Sequence, residues 1–215
     1  MRALMGIGAL LIMSQLPCAA DVLWDNGSFD GRNGLASTRS GWETWTADDF
    51  IVAAAIRIEQ ATAEFYVDPP PDGPFELADI GVWTETVPGE GPQDLVIELR
   101  DLAISSEKIG EGFGYDIIAA TVEGLDVELE PGDYFFSMRL VDYTAWGSSY
   151  LATTGDGVLK GRDAGWMWRY PPFGWLPARF YLCCDSDFAF RLEGIPEPTT
   201  ATLLLGGLIA LARRR

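Results

Sequence analysis

The sequence predicts an all-β protein, an antiparallel β-sandwich or jelly roll. Short runs of β-branched and aromatic residues recur along the middle of the chain, and turns rich in Pro and Gly separate them. No stretch of the middle keeps a helical apolar period for the length of a helix. Residues 21–195 are enough for one domain with its own core, and we predict a single domain there.

The predicted strands occupy residues 56–59, 63–67, 80–87, 95–99, 115–121, 125–129, 134–141 and 187–192. Turn-forming runs of Pro, Gly and Asp lie at residues 69–74, 88–92, 130–133 and 154–157. Such spacing is typical of sandwiches and jelly rolls. Residues 155–178 show no clear period, and we expect a long loop there, of the kind that often carries function.

Residues 1–20 have the layout of a secretory signal peptide. Arg2 is followed by an apolar stretch over residues 3–13, and small residues precede the expected cleavage point after Ala20. We therefore predict an N-terminal signal helix and export of the chain. Lipidation at Cys18 is a weaker alternative, because Pro17 stands where a small residue is expected.

Composition excludes several classes of function. The chain carries 32 acidic and 15 basic residues, a net charge of −17 at pH 7, and no histidine. So acidic a protein repels nucleic acid, and we predict no nucleic-acid partner. The lack of histidine excludes Ser-His-Asp and Cys-His hydrolases and zinc sites that use histidine. Carboxylate-pair chemistry stays open.

After removal of the signal peptide the remaining cysteines are the neighbours Cys183 and Cys184. Adjacent Cα atoms are about 3.8 Å apart, which is below the usual range for a disulfide. Three states stay open for this pair: unpaired and structural, a strained vicinal disulfide, or reactive and intermolecular thiols.

Residues 196–215 form an unusual C-terminus, PEPTTATLLLGGLIALARRR. The uncharged residues 199–212 would span about 21 Å as a helix, shorter than a hydrocarbon core of about 30 Å. Local thinning of the bilayer and snorkelling arginine side chains can meet the shortfall. Terminal arginines favour the cytoplasmic side, so residues 21–195 would lie outside the cytoplasmic membrane.

This tail resembles the PEP-CTERM sorting signal of Gram-negative bacteria, a segment also labelled as the C-terminal domain of ice-binding proteins. The resemblance implies recognition and cleavage near the motif by a membrane protease, the exosortase, after transient anchoring. A plain C-terminal membrane anchor is the alternative. The ice-binding label names the tail and implies no ice binding by the rest. Residues 203–212 match the apolar helix of the signal. The residues that match its motif and its arginine cluster are Pro196, Glu197, Pro198, Arg213, Arg214 and Arg215.

Three segments of the middle are similar to parts of other PEP-CTERM proteins. They are ADDFIV at residues 47–52, LEPGDYFFSMRL at residues 129–140 and DFAFRLEG at residues 187–194. The resemblance implies a β-sandwich of unassigned function, in a class of exported proteins associated with exopolysaccharide and biofilm matrix.

Aromatic residues crowd the last third of the middle. Trp166 and Trp168 alternate, so in a strand they would share a face. Two interpretations stay open: the rings fill the core, or they form a platform that stacks on sugars. The candidate sugar contacts are Trp166, Trp168, Tyr170 and Trp175. The aromatic residues are Trp146, Tyr150, Trp166, Trp168, Tyr170, Phe173, Trp175, Phe180 and Tyr181.

Acidic residues offer weak candidates for calcium binding. Asp185 and Asp187 have the alternate spacing that calcium loops use, but only as a fragment of such a loop. Turn residues that cap strand ends explain the same pattern. A glycosidase needs two facing carboxylates, and a chain this acidic offers many pairs without marking one.

We therefore expect an exported, non-catalytic surface or matrix protein of a Gram-negative bacterium, with no required cofactor. Its expected partners are the exosortase, the secretion machinery, the cytoplasmic membrane and exopolysaccharide. A carbohydrate-binding module, with or without calcium, is the first alternative. A carboxylate-based glycoside hydrolase is the second.

Overall fold

The computed structural model describes residues 20–40, 43–67, 75–87, 89–112, 114–141, 149–154, 160, 165–169, 174–182 and 186–196. The two predicted terminal helices, over residues 1–20 and 196–215, lie outside these residues except for Ala20 and Pro196. The strands are β1 (Asp21–Asp25), β2 (Phe29–Ala36), β3 (Thr38–Arg39), β4 (Glu43–Val52), β5 (Ile56–Val67), β6 (Leu77–Thr84), β7 (Asp94–Ala103), β8 (Ser105–Gly112), β9 (Tyr115–Leu129), β10 (Gly132–Val141), β11 (Ser149–Thr154), β12 (Trp166–Arg169), β13 (Gly174–Pro177) and β14 (Phe190–Pro196).

Two sheets form a β-sandwich-like fold. In the first sheet β5 is central: β9 and then β8 lie on one side of it, and β14 and β11 lie on the other. β1 pairs with β14, and β2 pairs with β11. The second sheet has the order β13-β12-β4-β3-β10-β6-β7, with β4 also pairing β10. Among the described strands, every pairing is antiparallel except the short contact of β3 with β10, so the all-β, antiparallel prediction is confirmed.

The main core lies between the sheets. The first sheet contributes Phe65 and Phe190, and the second contributes Phe50, Phe136 and Met138. These side chains come from alternate positions, as the pleat requires. β10 is nevertheless buried on both faces, because its outward residues are buried too. Around β10, the outer face of the second sheet is therefore covered by side chains of neighbouring strands, such as Trp45 and Trp83.

Several strand boundaries differ from the sequence-based prediction. Residues 56–59 and 63–67 belong to one strand, β5, and residues 115–121 and 125–129 belong to β9. β9 continues through Gly124 because a bulge there absorbs the extra residues, with Gly124 at a φ of 71°. The loop expected at residues 155–178 contains β12 and β13, which form a hairpin at the edge of the second sheet.

Candidate functional site

The second sheet carries tryptophans on the face that points away from the main core. β12 pairs with β4 so that Trp166 lies opposite Ala47 and Trp168 lies opposite Trp45. Trp166 and Trp168 therefore share a face, as the alternation in the sequence suggests. We call this group the tryptophan cluster; its members are Trp45, Ala47, Trp83, Phe135, Trp166, Trp168 and Trp175.

The rings of the tryptophan cluster pack on one another. The ring of Trp83 contacts Trp45 and Trp175 edge-on, with centroids 5.3 Å and 5.1 Å apart. Gly91, in the β6–β7 connection, lies against the ring of Trp166, and a Cβ at this glycine would come 2.4 Å from that ring. The edge-to-face contacts of Trp83 with Trp45 and Trp175 stabilise the tryptophan cluster.

The exposure of the candidate sugar contacts bears on their role. Trp166 is only 9% exposed, and Trp168 and Trp175 are half-buried. Tyr170 lies outside the described residues. A platform for sugars needs open ring faces, so the burial of Trp166 favours the core interpretation for that residue. Sugar contact by Trp168, Tyr170 and Trp175 stays a prediction.

A buried ion-pair network lies on the same outer face. Asp79 accepts a hydrogen bond from Arg139 Nε at 2.8 Å and one from the backbone N–H of Asp101 at 3.0 Å. Arg39 lies 2.8 Å from the same carboxylate and also pairs with Asp101. The guanidinium of Arg139 sits 3.8 Å from the ring centroid of Trp45. This network ties β3, β6, β7 and β10 together.

A second buried carboxylate, Asp48, joins the two sheets. It projects from β4 and accepts hydrogen bonds from the backbone N–H of Phe188 at 2.7 Å and from Asn26 Nδ2 at 3.0 Å. Its other oxygen accepts the N–H of Asp49. Burial, and then the charge of Asp187, raise the pKa of Asp48 well above its ordinary value. The contacts of Asp48 are those of a structural bridge between the sheets.

Asp187 lies beside Asp48, where the chain returns to the first sheet. Its Oδ2 accepts the backbone N–H of Lys160 at 2.5 Å, and the Lys160 ammonium donates to the Asp25 carbonyl at 2.8 Å. Burial raises the pKa of Asp187 to about 6, although the hydrogen bond and charge of Lys160 oppose this rise. These contacts hold Lys160 against the end of β1.

The calcium candidates are only partly placed. Asp185 lies outside the described residues, and Asp187 is buried at the junction just described. In the described part of the chain, no group of three or more Cys, Asp and Glu is arranged to hold a metal ion. Calcium binding at Asp185 and Asp187 stays a prediction.

The first sheet carries a different site on its outer face, which we call the tyrosine pocket. It is a half-open cavity of about 360 Å³. This volume falls within the range of small-molecule sites. Three tyrosines, two polar residues and one glycine make up its lining. The lining residues are Arg32, Asn33, Gly34, Tyr66, Tyr115 and Tyr150.

Strand pairing assembles the tyrosine pocket from distant parts of the sequence. Tyr150 of β11 lies opposite Tyr66 of β5 and opposite Ala36 of β2. Tyr66 lies opposite Ile117 of β9, so Tyr115 at the start of β9 comes close as well. The rings of Tyr115 and Tyr150 have centroids 6.4 Å apart and are tilted by 59°.

The floor of the tyrosine pocket depends on the glycine at position 34, which has no side chain. A Cβ at Gly34 would lie 2.9 Å from the carbonyl oxygen of Leu151 and 3.0 Å from Cδ2 of Tyr66. Real Cβ atoms do not come so close to a backbone oxygen, so a larger residue would push β2 away or displace Tyr66. Glycine at this position keeps the cavity open.

Polar groups line one side of the tyrosine pocket. Arg32 and Asn33 are exposed and offer donors and acceptors. Their segment is held in place because Asp30 accepts the N–H of Arg32 at 2.8 Å, and Thr153 Oγ1 lies 2.8 Å from the same carboxylate. Burial, assisted by the charge of Asp30, raises the pKa of Tyr66 to about 12, so this phenol stays neutral.

Sequence reasoning missed the tyrosine pocket. Of its three tyrosines only Tyr150 belongs to the aromatic run noted above. The available signal was the alternation of β5, where Tyr66 ends a series of outward-facing residues. That signal identifies a face, but the partners on this face depend on the register between strands.

The predicted sorting residues lie at the edge of the described structure. Ala20 is exposed and directly precedes β1. Pro196, the first residue of the motif, is exposed, ends β14 and lies opposite Ile56. Glu197, Pro198 and the three arginines lie outside the described residues. Within the described ranges, no helix has the length and apolar character needed to cross a bilayer.

Comparisons with protein-family models, curated proteins and solved structures find no significant match to this chain. The likeness of the tail to the PEP-CTERM signal therefore stays a prediction.

Proposed function

We propose that this is an exported, non-catalytic surface or matrix protein of a Gram-negative bacterium that binds carbohydrate at the tyrosine pocket. In this proposal the signal helix of residues 1–20 directs export. The hydrophobic helix of residues 196–215 holds the protein at the cytoplasmic membrane until an exosortase processes it. Exopolysaccharide is the proposed partner, and nucleic acid is not a partner of so acidic a chain.

The lining of the tyrosine pocket is the observation that carries the carbohydrate part of the proposal. Sugar rings have apolar C–H faces and hydroxyl edges. Tyr115 and Tyr150 offer ring surface beside the polar groups of Arg32 and Asn33. A concave, mainly aromatic cavity with a few polar groups is the usual form of a small-molecule site. Aromatic rings also lose little conformational entropy on binding.

Substitution of Tyr115 by Ala tests the carbohydrate site. We expect about a tenfold loss of affinity for neutral gluco-oligosaccharides and for the host's exopolysaccharide, about 1.4 kcal/mol, because a partly exposed stacking ring is removed. Isothermal titration calorimetry on the purified full-length protein measures this change. Circular dichroism checks that the fold is kept.

Two control variants accompany this experiment. Tyr181 is 37% exposed and Tyr115 is 36% exposed, but Tyr181 does not line the pocket, so Tyr181→Ala is a matched control that should bind normally. Trp168→Ala tests the alternative platform on the tryptophan cluster. Lost binding in Trp168→Ala with normal binding in Tyr115→Ala would move the site to that cluster. Absence of binding by the wild type would refute the carbohydrate proposal.

Mass spectrometry of protein recovered from cells tests the delivery part of the proposal. We expect a chain that begins at Asp21 and lacks the arginine cluster, because the signal peptide and the sorting tail are both removed. Replacing Arg213, Arg214 and Arg215 with Ser should leave the tail uncut. An intact tail on wild-type protein in the membrane fraction would instead support a plain anchor.

A further inference from the structure

A second cavity lies on the same face of the first sheet as the tyrosine pocket. It has a volume of about 270 Å³, and we call it the polar groove. Its floor is formed by Gln60, Thr62 and Glu64 of β5, and Arg191 and Glu193 of β14 form part of its wall. β14 lies beside β5 here, with Arg191 opposite Thr62 and Glu193 opposite Gln60.

The two cavities share one strand as their floor. Alternate residues of a strand point to the same face. Residues 60, 62 and 64 line the polar groove, and residue 66 lines the tyrosine pocket. The burial pattern of β5 agrees, because the intervening residues 61, 63 and 65 are fully buried. At about 3.3 Å per residue, residues 60 to 66 span about 20 Å, which is longer than a disaccharide.

Phe29 lies where the polar groove and the tyrosine pocket meet. Its backbone N–H donates to Glu64 Oε2 at 2.7 Å, and Glu64 lines the groove. Its ring packs edge-on against Tyr66 of the pocket, with centroids 4.8 Å apart. The half-buried ring of Phe29 thus adds apolar surface at the junction of the two cavities.

The charges of the polar groove indicate the class of ligand. Among the described residues that line it, three carboxylates, from Asp25, Glu64 and Glu193, lie with the guanidinium of Arg191. Carboxylates accept hydrogen bonds from hydroxyl groups and repel other anions. With the net charge of −17 on the chain, this lining disfavours sugars that carry carboxylates or sulfates.

We infer that the polar groove and the tyrosine pocket are two subsites of one binding site, which takes an internal stretch of a neutral, linear polysaccharide. This inference rests on the proposed carbohydrate function. The tyrosine pocket stacks on one part of the chain, and the polar groove binds the hydroxyl groups of the next part. Affinity should therefore rise with the length of the oligosaccharide until both cavities are filled.

Calorimetry with a length series of neutral gluco-oligosaccharides, from the disaccharide upward, tests this inference on the full-length protein. We expect affinity to rise about tenfold between the disaccharide and chains that span both cavities, because added hydrogen bonds contribute on this scale. The double variant Arg191→Ala/Glu193→Ala should remove this gain and leave the affinity for the disaccharide unchanged. It keeps the net charge, because one charge of each sign is removed.

The double variant Arg57→Ala/Glu128→Ala is the matched control. It removes the same residue types from a pair 3.0 Å apart on the first sheet, outside both cavities, and it should behave as the wild type does. Equal affinity for short and long chains would overturn the two-subsite inference but leave the tyrosine pocket standing. Tighter binding of oligogalacturonates of the same lengths would overturn the inference that the ligand is a neutral polysaccharide. Failure of every oligosaccharide to bind would refute both the carbohydrate function of the tyrosine pocket and the two-subsite inference.

Discussion

Replacing Asp79 with Ala is expected to lower the free energy of unfolding by about 3–5 kcal/mol, the usual cost of breaking a buried ion pair from one side. Asp79 and Arg139 are both fully buried, and their charged groups are 2.8 Å apart. Without Asp79, the Arg139 guanidinium keeps its contact with the Trp45 ring and its ion pair with Glu43, whose Oε2 is 3.3 Å away. Urea denaturation, with the slope checked for two-state behaviour, measures the loss.

Two further variants separate charge from packing in this network. Asp126 is 81% exposed and lies 3.7 Å from Arg57, so Asp126→Ala should change stability by less than about 1 kcal/mol. The double variant Asp79→Ala/Arg139→Met should be more stable than Asp79→Ala alone, because it also removes the fully buried guanidinium that has lost its main partner. A loss for Asp79→Ala as small as that for Asp126→Ala would contradict the structural role of this network.

Replacing Asp187 with Asn is expected to stabilise the protein at neutral pH, by at most about 3 kcal/mol. The pKa of Asp187 is raised from its ordinary value of 3.8 to about 6, and each unit is worth about 1.36 kcal/mol. Because the folded state binds this proton more tightly than the unfolded state does, Asp187 destabilises the fold progressively as pH rises from about 4 to about 6. Above about pH 6 the destabilisation of the fold by Asp187 no longer changes with pH.

Asn keeps the size of Asp187 and an oxygen that can accept the N–H of Lys160. The advantage of Asp187→Asn should therefore shrink as pH falls below about 6, and chemical denaturation between about pH 5 and pH 7.5 follows it. The ionisable groups beside Asp187 are Asp48 and Lys160. Removing the Asp187 charge should also lower the pKa of Asp48, because that charge helps to raise it. Asp126→Asn on the surface serves as the control. A constant difference between wild type and Asp187→Asn across this pH range would contradict the raised pKa.

Sequence patterns found six of the fourteen strands that the structure describes. β5, β6, β7, β9, β10 and β14 each overlap a predicted strand, because β-branched and aromatic runs between Pro- and Gly-rich turns identify them. β4 was missed because the buried acidic residues Asp48 and Asp49 interrupt its apolar pattern, and Asp is more common in turns than in strands. β12 and β13 are too short to show a period.

The sequence by itself determined the class of fold, the acidic character that disfavours nucleic acid, and the prediction of two targeting segments, because each depends on composition or on adjacent residues. Only the tertiary structure decided that Trp166 packs in a cluster while Tyr66, Tyr115 and Tyr150 line a cavity. Both facts depend on which strands pair and in which register. A shift of one residue would turn each side chain to the opposite face, and the chain's local pattern does not encode that register.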